Sequence, residues 1–228
     1  MSRDLSDNEN HIAIVIAAGL SSRMGSFKPL LDVGGKPALF KLLDTIKTAG
    51  IERVAVVMGY EHETLEAALR DCGDESIHAL YNEDYESGMF SSVRTGIRYA
   101  AGILSAENTT DAARPLISCP AALLFPVDVP LVAAETIRGL IVAYEQGGAS
   151  HFAVPFYNGK NGHPLLIPCK YFGEILEYTG EGGLKGVRSR HDSEMIRYEV
   201  DDAGCILDMD TSKDYEQILE FEKKHYKK

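Results

Sequence analysis

The 228-residue sequence contains no apolar run longer than the seven residues from Ile12 to Ala18. A helix that crosses a bilayer needs ~20 such residues, so a membrane-spanning helix is excluded. Positive charge is also scarce, with 23 Lys and Arg against 34 Asp and Glu and a net charge of −11. That balance argues against general nucleic-acid binding, which needs a concentrated basic surface, but leaves room for an anionic small molecule in a local basic pocket. Cysteine is sparse as well. Cys72, Cys119, Cys169 and Cys205 form no C-x-x-C pair, which excludes a zinc ribbon or a thioredoxin-type redox pair and leaves four ordinary thiols. No basic segment followed by an apolar one opens the chain. Met1 to Asn10 is an acidic, polar stretch, expected to be a disordered lead-in without a signal peptide, and a cytoplasmic location follows. Repeats, low-complexity tracts and long hinges are missing too.

What remains is ordinary globular composition, 45% hydrophobic and 25% charged, enough for a substantial core. Short, continuously apolar, β-branched runs at Ile12–Ala18, Val54–Met58 and Ala122–Phe125 read as strands buried on both faces, with a weaker one at Ile77–Tyr81. Helical spacing separates them at Pro37–Ala49, Glu61–Arg70, Ser87–Ala101 and Ala133–Gln146. Alternation of this kind predicts an α/β fold: a single Rossmann-like domain, a mostly parallel sheet and helices on both faces. Ser105 to Cys119 reads as a polar surface insertion. After residue 150 a small mixed extension is expected, with strands at Phe152–Pro155, Pro164–Ile167 and near Met195–Val200. Short helices at Phe172–Tyr178 and Leu184–Ser189 and a final helix after Asp210, capped by Asp210 or Thr211, complete it.

Ligands of open α/β sheets bind beyond the carboxyl ends of the strands, so the loop after the first strand is the place to look. It reads Ala17-Ala18-Gly19-Leu20-Ser21-Ser22-Arg23-Met24-Gly25-Ser26-Phe27-Lys28. Glycines let backbone N–H groups approach a phosphate closely, and Arg23 and Lys28 add fixed positive charge. The loop is neither a Walker A sequence, because Lys28 follows Gly25 by three residues and precedes Pro29, nor G-x-G-x-x-G, because Ser21 replaces the second glycine. By itself it also fits a Gly/Ser turn with two solvated cations. Both cations lie on a charged loop, so their removal is expected to spare folding. Asp128 directly follows a buried strand and is either a hard oxygen ligand for Mg²⁺ or a cap for the Ala133 helix. Asp210 carries the same two readings, with Asp208 as an alternative ligand. His163, fixed between Gly162 and Pro164, is either a ligand contact or a structural turn residue. The other histidines, among them His11, His62, His78, His151 and His191, show no ligand spacing.

The pattern A-A-G-x-S-x-R-M-G-x-x-K after an opening strand resembles the nucleotidyltransferases of the molybdenum cofactor type, most closely the molybdenum cofactor cytidylyltransferases. The guanylyltransferase branch usually has G-G at the strand end and Asp before the lysine, where this sequence has Ala17-Ala18 and Phe27. The resemblance extends over nearly the whole chain. Asn82 with Ser87-Gly88-Met89-Phe90-Ser91-Ser92-Val93 is similar to the family's base- and ribose-contacting segment. Pro126-Val127-Asp128-Val129-Pro130 is similar to its D-x-P metal turn, Gly162-His163-Pro164 to its acceptor motif, and Gly182-Gly183-Leu184 to a later helix start. Asp208-Met209-Asp210-Thr211 with Asp214 is similar to its closing D-x-D-T-x-x-D.

The resemblance implies one domain over residues 11–228, with a nucleotide-binding half (11–150) and an acceptor-binding half (151–228). It implies transfer of CMP from CTP to the phosphate of molybdopterin cofactor, with release of pyrophosphate. Arg23, Lys28 and Asp128 would be catalytic. Ala17, Ala18, Gly19, Ser21, Ser22, Arg23, Gly25, Lys28, Asn82, Ser87, Gly88 and Ser92 would bind nucleotide. Asp128 and Asp210 would hold Mg²⁺ or Mn²⁺, and Gly162, His163, Pro164 and Gly183 would bind the acceptor. A molybdenum hydroxylase apoenzyme is an implied partner. Two alternatives stay open: the same fold acting with another nucleotide or phosphorylated acceptor, and a non-catalytic carrier of the cofactor.

Overall fold

A computed structural model describes residues 11–19, 26–102 and 119–225. The expected lead-in over residues 1–10 lies outside these residues, as does nearly all of the expected insertion between Ser105 and Cys119. Four strands form the parallel part of one sheet: β1 (Ile12–Ala17), β2 (Arg53–Met58), β3 (Ile77–Tyr81) and β4 (Ala121–Pro126). Their order is β3-β2-β1-β4, and the sheet continues antiparallel from β4 into β7 (Leu165–Pro168) and then β5 (Ala153–Tyr157). Beyond them β6 (Lys160–Asn161) pairs with β5 as a hairpin, and β8 (Ile196–Glu199) pairs with β5 in parallel. The two-residue strand β6 has no counterpart among the strands expected from sequence, because Lys160 and Asn161 are both exposed and carry no apolar pattern.

Every residue of β1 is buried. Ala13, Val15 and Ala17 face one core with α1 (Ala38–Thr48), α2 (His62–Cys72) and α4 (Ala134–Gln146). Ile12, Ile14 and Ile16 face the opposite core with α3 (Met89–Ala100), α5 (Phe172–Glu177) and α6 (Gly183–Ser189). Burying such a side chain contributes roughly 1.5–3 kcal/mol, so β1 is the strand both layers depend on. Gly96 lets α3 press against it, since a Cβ there would sit 2.4 Å from Ile14 Cγ2. Ser87 was expected to open this helix, but Gly88, at φ 110, separates it from a 3₁₀ turn at Tyr85–Ser87.

The last helix, α7 (Ser212–His225), packs Ile218 against Val33, Ala38, Leu131 and Met209. A largely buried pair, Lys41 Nζ to Glu222 Oε1 at 2.8 Å, fastens it to α1. This docking returns the segment before α7 to the carboxyl edge of β1 and β4. No helix among the described residues is long and apolar enough to cross a membrane.

Candidate active site

At the carboxyl ends of β1 and β4 lies a cavity of about 240 Å³. Its floor is Ile16 to Gly19 and Pro126 to Asp128; Lys28 and Pro29 form one wall, and Tyr85, Glu86, Gly88, Met89 and Ser92 the other. Small-molecule sites usually span roughly 300–1,000 Å³, so this cavity suits part of a nucleotide. A larger concavity of about 370 Å³ lies on the flank of α1 against the end of α2. Its lysines are already paired, Lys36 with Asp44 and Lys47 with Asp74, so it offers little to an anion.

The charged part of the site comes from three distant segments. Lys28 sits in a 3₁₀ turn (Lys28–Leu30), and its side chain is 13% exposed. Its Nζ donates to Asp210 Oδ1 at 2.8 Å and lies 3.6 Å from Asp128 Oδ2. Burial pushes the Asp128 carboxyl above the ordinary range, Asp210 and Asp208 push the same way, and Lys28 opposes them. Asp208 is raised too, by partial burial and by Asp210 and Asp214. Carboxylates gathered this way call for positive charge.

The start of α4 is secured by a residue other than Asp128. The amide of Ala133, the residue just before α4, donates to Asp202 Oδ2 at 2.9 Å, and Thr136 Oγ1 in the first turn donates to the same oxygen at 2.7 Å. At α7, Asp214 N donates to Thr211 Oγ1 while Thr211 N donates to Asp214 Oδ2, a reciprocal capping box. The alternative cap reading of Asp128 is thereby displaced by a residue 74 positions later, which local sequence could not reveal.

Of the other nucleotide-side candidates, Ala17, Ala18, Gly19, Gly88 and Ser92 line the cavity. Asn82 is buried behind it, where Nδ2 donates to Ser91 Oγ and Ser92 Oγ, both at 2.9 Å, and Oδ1 accepts from Asp84 N. It therefore orders the start of α3. Ser87 is exposed and donates to Asp84 O. Ser21, Ser22, Arg23 and Gly25 lie outside the described residues. Tyr85 is a wall residue the sequence did not single out; it packs so closely on Gly59 that a Cβ there would meet its ring.

The acceptor-side candidates form a second cluster. The β4–β7 ladder ends at Leu124↔Leu165, and His163 lies two residues before the start of β7. His163 N donates to Cys205 O at 2.8 Å, and the peptide bond to Pro164 is cis. Gly162 permits this contact, because a Cβ would lie 2.6 Å from Cys205 Sγ and 2.9 Å from Cys205 O. Burial, helped by Arg188, pushes His163 down to about 4, so its ring is neutral at pH 7. Gly183 begins α6 against Phe90, the neighbour of cavity residue Met89. All four cysteines are free; Cys119 and Cys205 are buried thiols pushed up to about 11 and about 12.

A parallel sheet with a cavity and charged cluster at its carboxyl edge defines a nucleotide-handling α/β protein. The chain belongs to the family described as MobA-like NTP transferase domain, which it matches over residues 13–195, and it is a nucleotidyltransferase of that family. It is 27% identical to the molybdenum cofactor cytidylyltransferase of Escherichia coli, over 89% of this chain and 92% of that protein. Among solved structures it is similar to Rv0371c of Mycobacterium tuberculosis, with TM-score 0.71 and 26% identity over 93% of this chain and 99% of that one. Rv0371c has also been solved in complex with manganese. The molybdopterin-guanine dinucleotide biosynthesis protein A of Archaeoglobus fulgidus shares the fold, with TM-score 0.63 and 15% identity over 93% of this chain and 99% of that one.

Proposed function

We propose that this protein transfers CMP from CTP to the terminal phosphate of molybdopterin cofactor and releases pyrophosphate. The observation that carries the reading is that Lys28 and Asp128 line the β1–β4 cavity while Asp210 pairs with Lys28. The similarity to a molybdenum cofactor cytidylyltransferase over nearly the whole chain supports the choice of substrates. Ala17-Ala18 and Phe27, in place of the features usual in the guanylyl branch, favour CTP over GTP.

An acceptor phosphate is already ionised near pH 7, so the reaction needs no general base on the nucleophile. Its oxygen attacks the α-phosphorus in line; the new O–P bond forms as the bond to the departing pyrophosphate breaks. The protein's part is positioning and charge compensation. Backbone at Ala17–Gly19 and Gly88 leaves room for the nucleoside, while Lys28 faces the charged end. Asp128 and Asp210 would hold Mg²⁺ or Mn²⁺, and their crowded carboxylates fit such an ion, although among the described residues no three His, Cys, Asp or Glu side chains form a ready-made cage. Few protein carboxylates plus phosphate oxygens is the coordination Mg²⁺ usually takes. When bound, the ion would stabilise charge on the reacting phosphate oxygens.

Pyrophosphate release by the purified protein with molybdenum cofactor and equal CTP and GTP tests the reading. The expected result is release dependent on both the cofactor and a divalent ion, with CTP preferred. Release with another phosphorylated acceptor alone would make it a different enzyme on this fold. Cofactor binding without any release would make it a carrier.

A further inference from the structure

The backbone of Lys28 is pinned, so a change of position falls to its side chain. The amide of Leu31 donates to Lys28 O at 3.1 Å, and Leu31 O accepts from Ala38 N at 2.8 Å where α1 begins. Pro29 follows Lys28 directly within the 3₁₀ turn. From this fixed point the stem lines the β1–β4 cavity, while the ammonium lies 2.8 Å from Asp210 Oδ1 and 3.6 Å from Asp128 Oδ2. One cation thus answers two carboxylates, and they are the two proposed above to hold Mg²⁺ or Mn²⁺.

A divalent ion on these oxygens competes with the ammonium. An ion ~2.1 Å from Asp210 Oδ1, the usual Mg–O distance, would stand roughly 5 Å at most from Nζ, where like charges in a partly buried site repel strongly. The side chains of Asp128 and Asp210 are 26% and 44% exposed, so an ion can reach them from solvent. Lysine suits such an exchange, being a compact charge on a flexible stem without the fixed fork of arginine. We propose that Lys28 is a resident counter-ion of the metal site, displaced when the divalent ion binds and thereby turned toward the phosphates of the nucleotide. This rests on the transferase reading above and adds an order to it. The lysine's charge reaches the triphosphate only once the carboxylates have gained the ion's. Without nucleotide the ammonium keeps the ion's affinity low, in keeping with the lack of a three-ligand cage among the described residues.

The test measures Mn²⁺ binding without nucleotide, from the electron paramagnetic resonance signal of the free ion at low ionic strength. Lys28→Met should bind Mn²⁺ on the order of tenfold more tightly than wild type. Adding Asp128→Asn to it should remove most of that gain. Pyrophosphate release by Lys28→Met should fall all the same, so metal affinity and turnover move in opposite directions. A lysine that merely braced the carboxylates would act the other way, since its loss would loosen the site. Weaker, unchanged or undetectable Mn²⁺ binding by folded Lys28→Met therefore overturns the proposal. A second measurement needs no variant. Acetic anhydride labelling of wild type, read residue by residue by mass spectrometry, should rise several-fold at Lys28 on saturation with Mn²⁺ and stay level at Lys41. Unchanged labelling at Lys28 would also overturn the exchange. If no nucleotide supports release but Lys28→Met still tightens Mn²⁺, the transferase substrates are wrong and the exchange stands. Release by wild type with Mn²⁺ affinity untouched by Lys28→Met makes the exchange wrong and leaves the transferase reading intact.

Discussion

The amide of Met209 donates to the carbonyl of Asp128 at 3.0 Å. This bond joins the turn after β4 to the segment before α7, with Asp208 and Asp210 on either side of the donor. Met209 itself is fully buried among Val33, Leu131 and Ile218. The acidic half of the site is therefore held by backbone and core, and its carboxylates can be changed without dismantling it.

Asp128→Asn should fold normally. The helix α4 is capped by Asp202 rather than Asp128, and removing one of three crowded carboxylates relieves repulsion, so the melting temperature should stay level or rise slightly. Turnover should fall on the order of 10²–10³-fold, with partial rescue at high Mg²⁺ or Mn²⁺. Pyrophosphate release measured across a metal titration checks this, and full activity at limiting metal would place the ion elsewhere.

The setting of Lys28 predicts a cost to folding as well as to activity. Its ammonium is mostly buried between Asp128 and Asp210, so Lys28→Met leaves two carboxylates facing each other without compensation. Stability should fall by on the order of 1 kcal/mol at pH 7.5. The sign of the pH effect follows. Without Lys28 the folded-state carboxyls titrate higher, they protonate more readily than in the unfolded chain, and the deficit shrinks toward pH 5. Urea denaturation of both proteins at the two pH values measures it, and a deficit that grows on acidification would contradict the arrangement.

The parallel half of the fold was legible because a doubly buried strand leaves an unmistakable run, as in Ile12–Ala17, and because helices between such runs carry a 3.6-residue apolar stripe. Asp128 was legible for the same reason, being the first acid beyond a buried strand. The hairpin at β5–β6 was not, since two exposed residues, Lys160 and Asn161, carry no apolar pattern. Asp202 was hidden more deeply, since it binds the amide that leads into a helix 69 residues earlier in sequence. Such roles arise from tertiary contact, and residue type alone does not carry them.

Asp202→Ala removes an acceptor for Ala133 N, Thr136 Oγ1 and Gly204 N together. Thermal unfolding should show a loss of about 2 kcal/mol, as expected for a helix cap with further bonds. Asp202→Asn, which keeps one carbonyl acceptor, should lose less. Equal loss in both would mean that the negative charge, rather than the hydrogen bonds, secures α4.

His163 offers a pH test of the acceptor-side geometry. Burial and Arg188 hold its folded-state value at about 4, against an ordinary value near 6.5. Between these limits the unfolded chain binds a proton that the folded protein resists, so stability rises with pH across the window. The contribution is fully present above about pH 6.5 and is lost progressively as pH falls toward 4. Its full size is on the order of 3 kcal/mol. Other acidic groups also titrate in this range, so the informative quantity is the difference from His163→Gln, which keeps polarity but cannot gain the proton. Denaturant unfolding at pH 7.0 and 4.5 should show wild type losing more stability than the variant, by at least 1 kcal/mol. Arg188→Met should narrow that difference, because the guanidinium no longer opposes protonation of the ring. Identical pH slopes for wild type and His163→Gln would mean that the ring is open to water, and the enclosed His163–Arg188 arrangement would then be wrong.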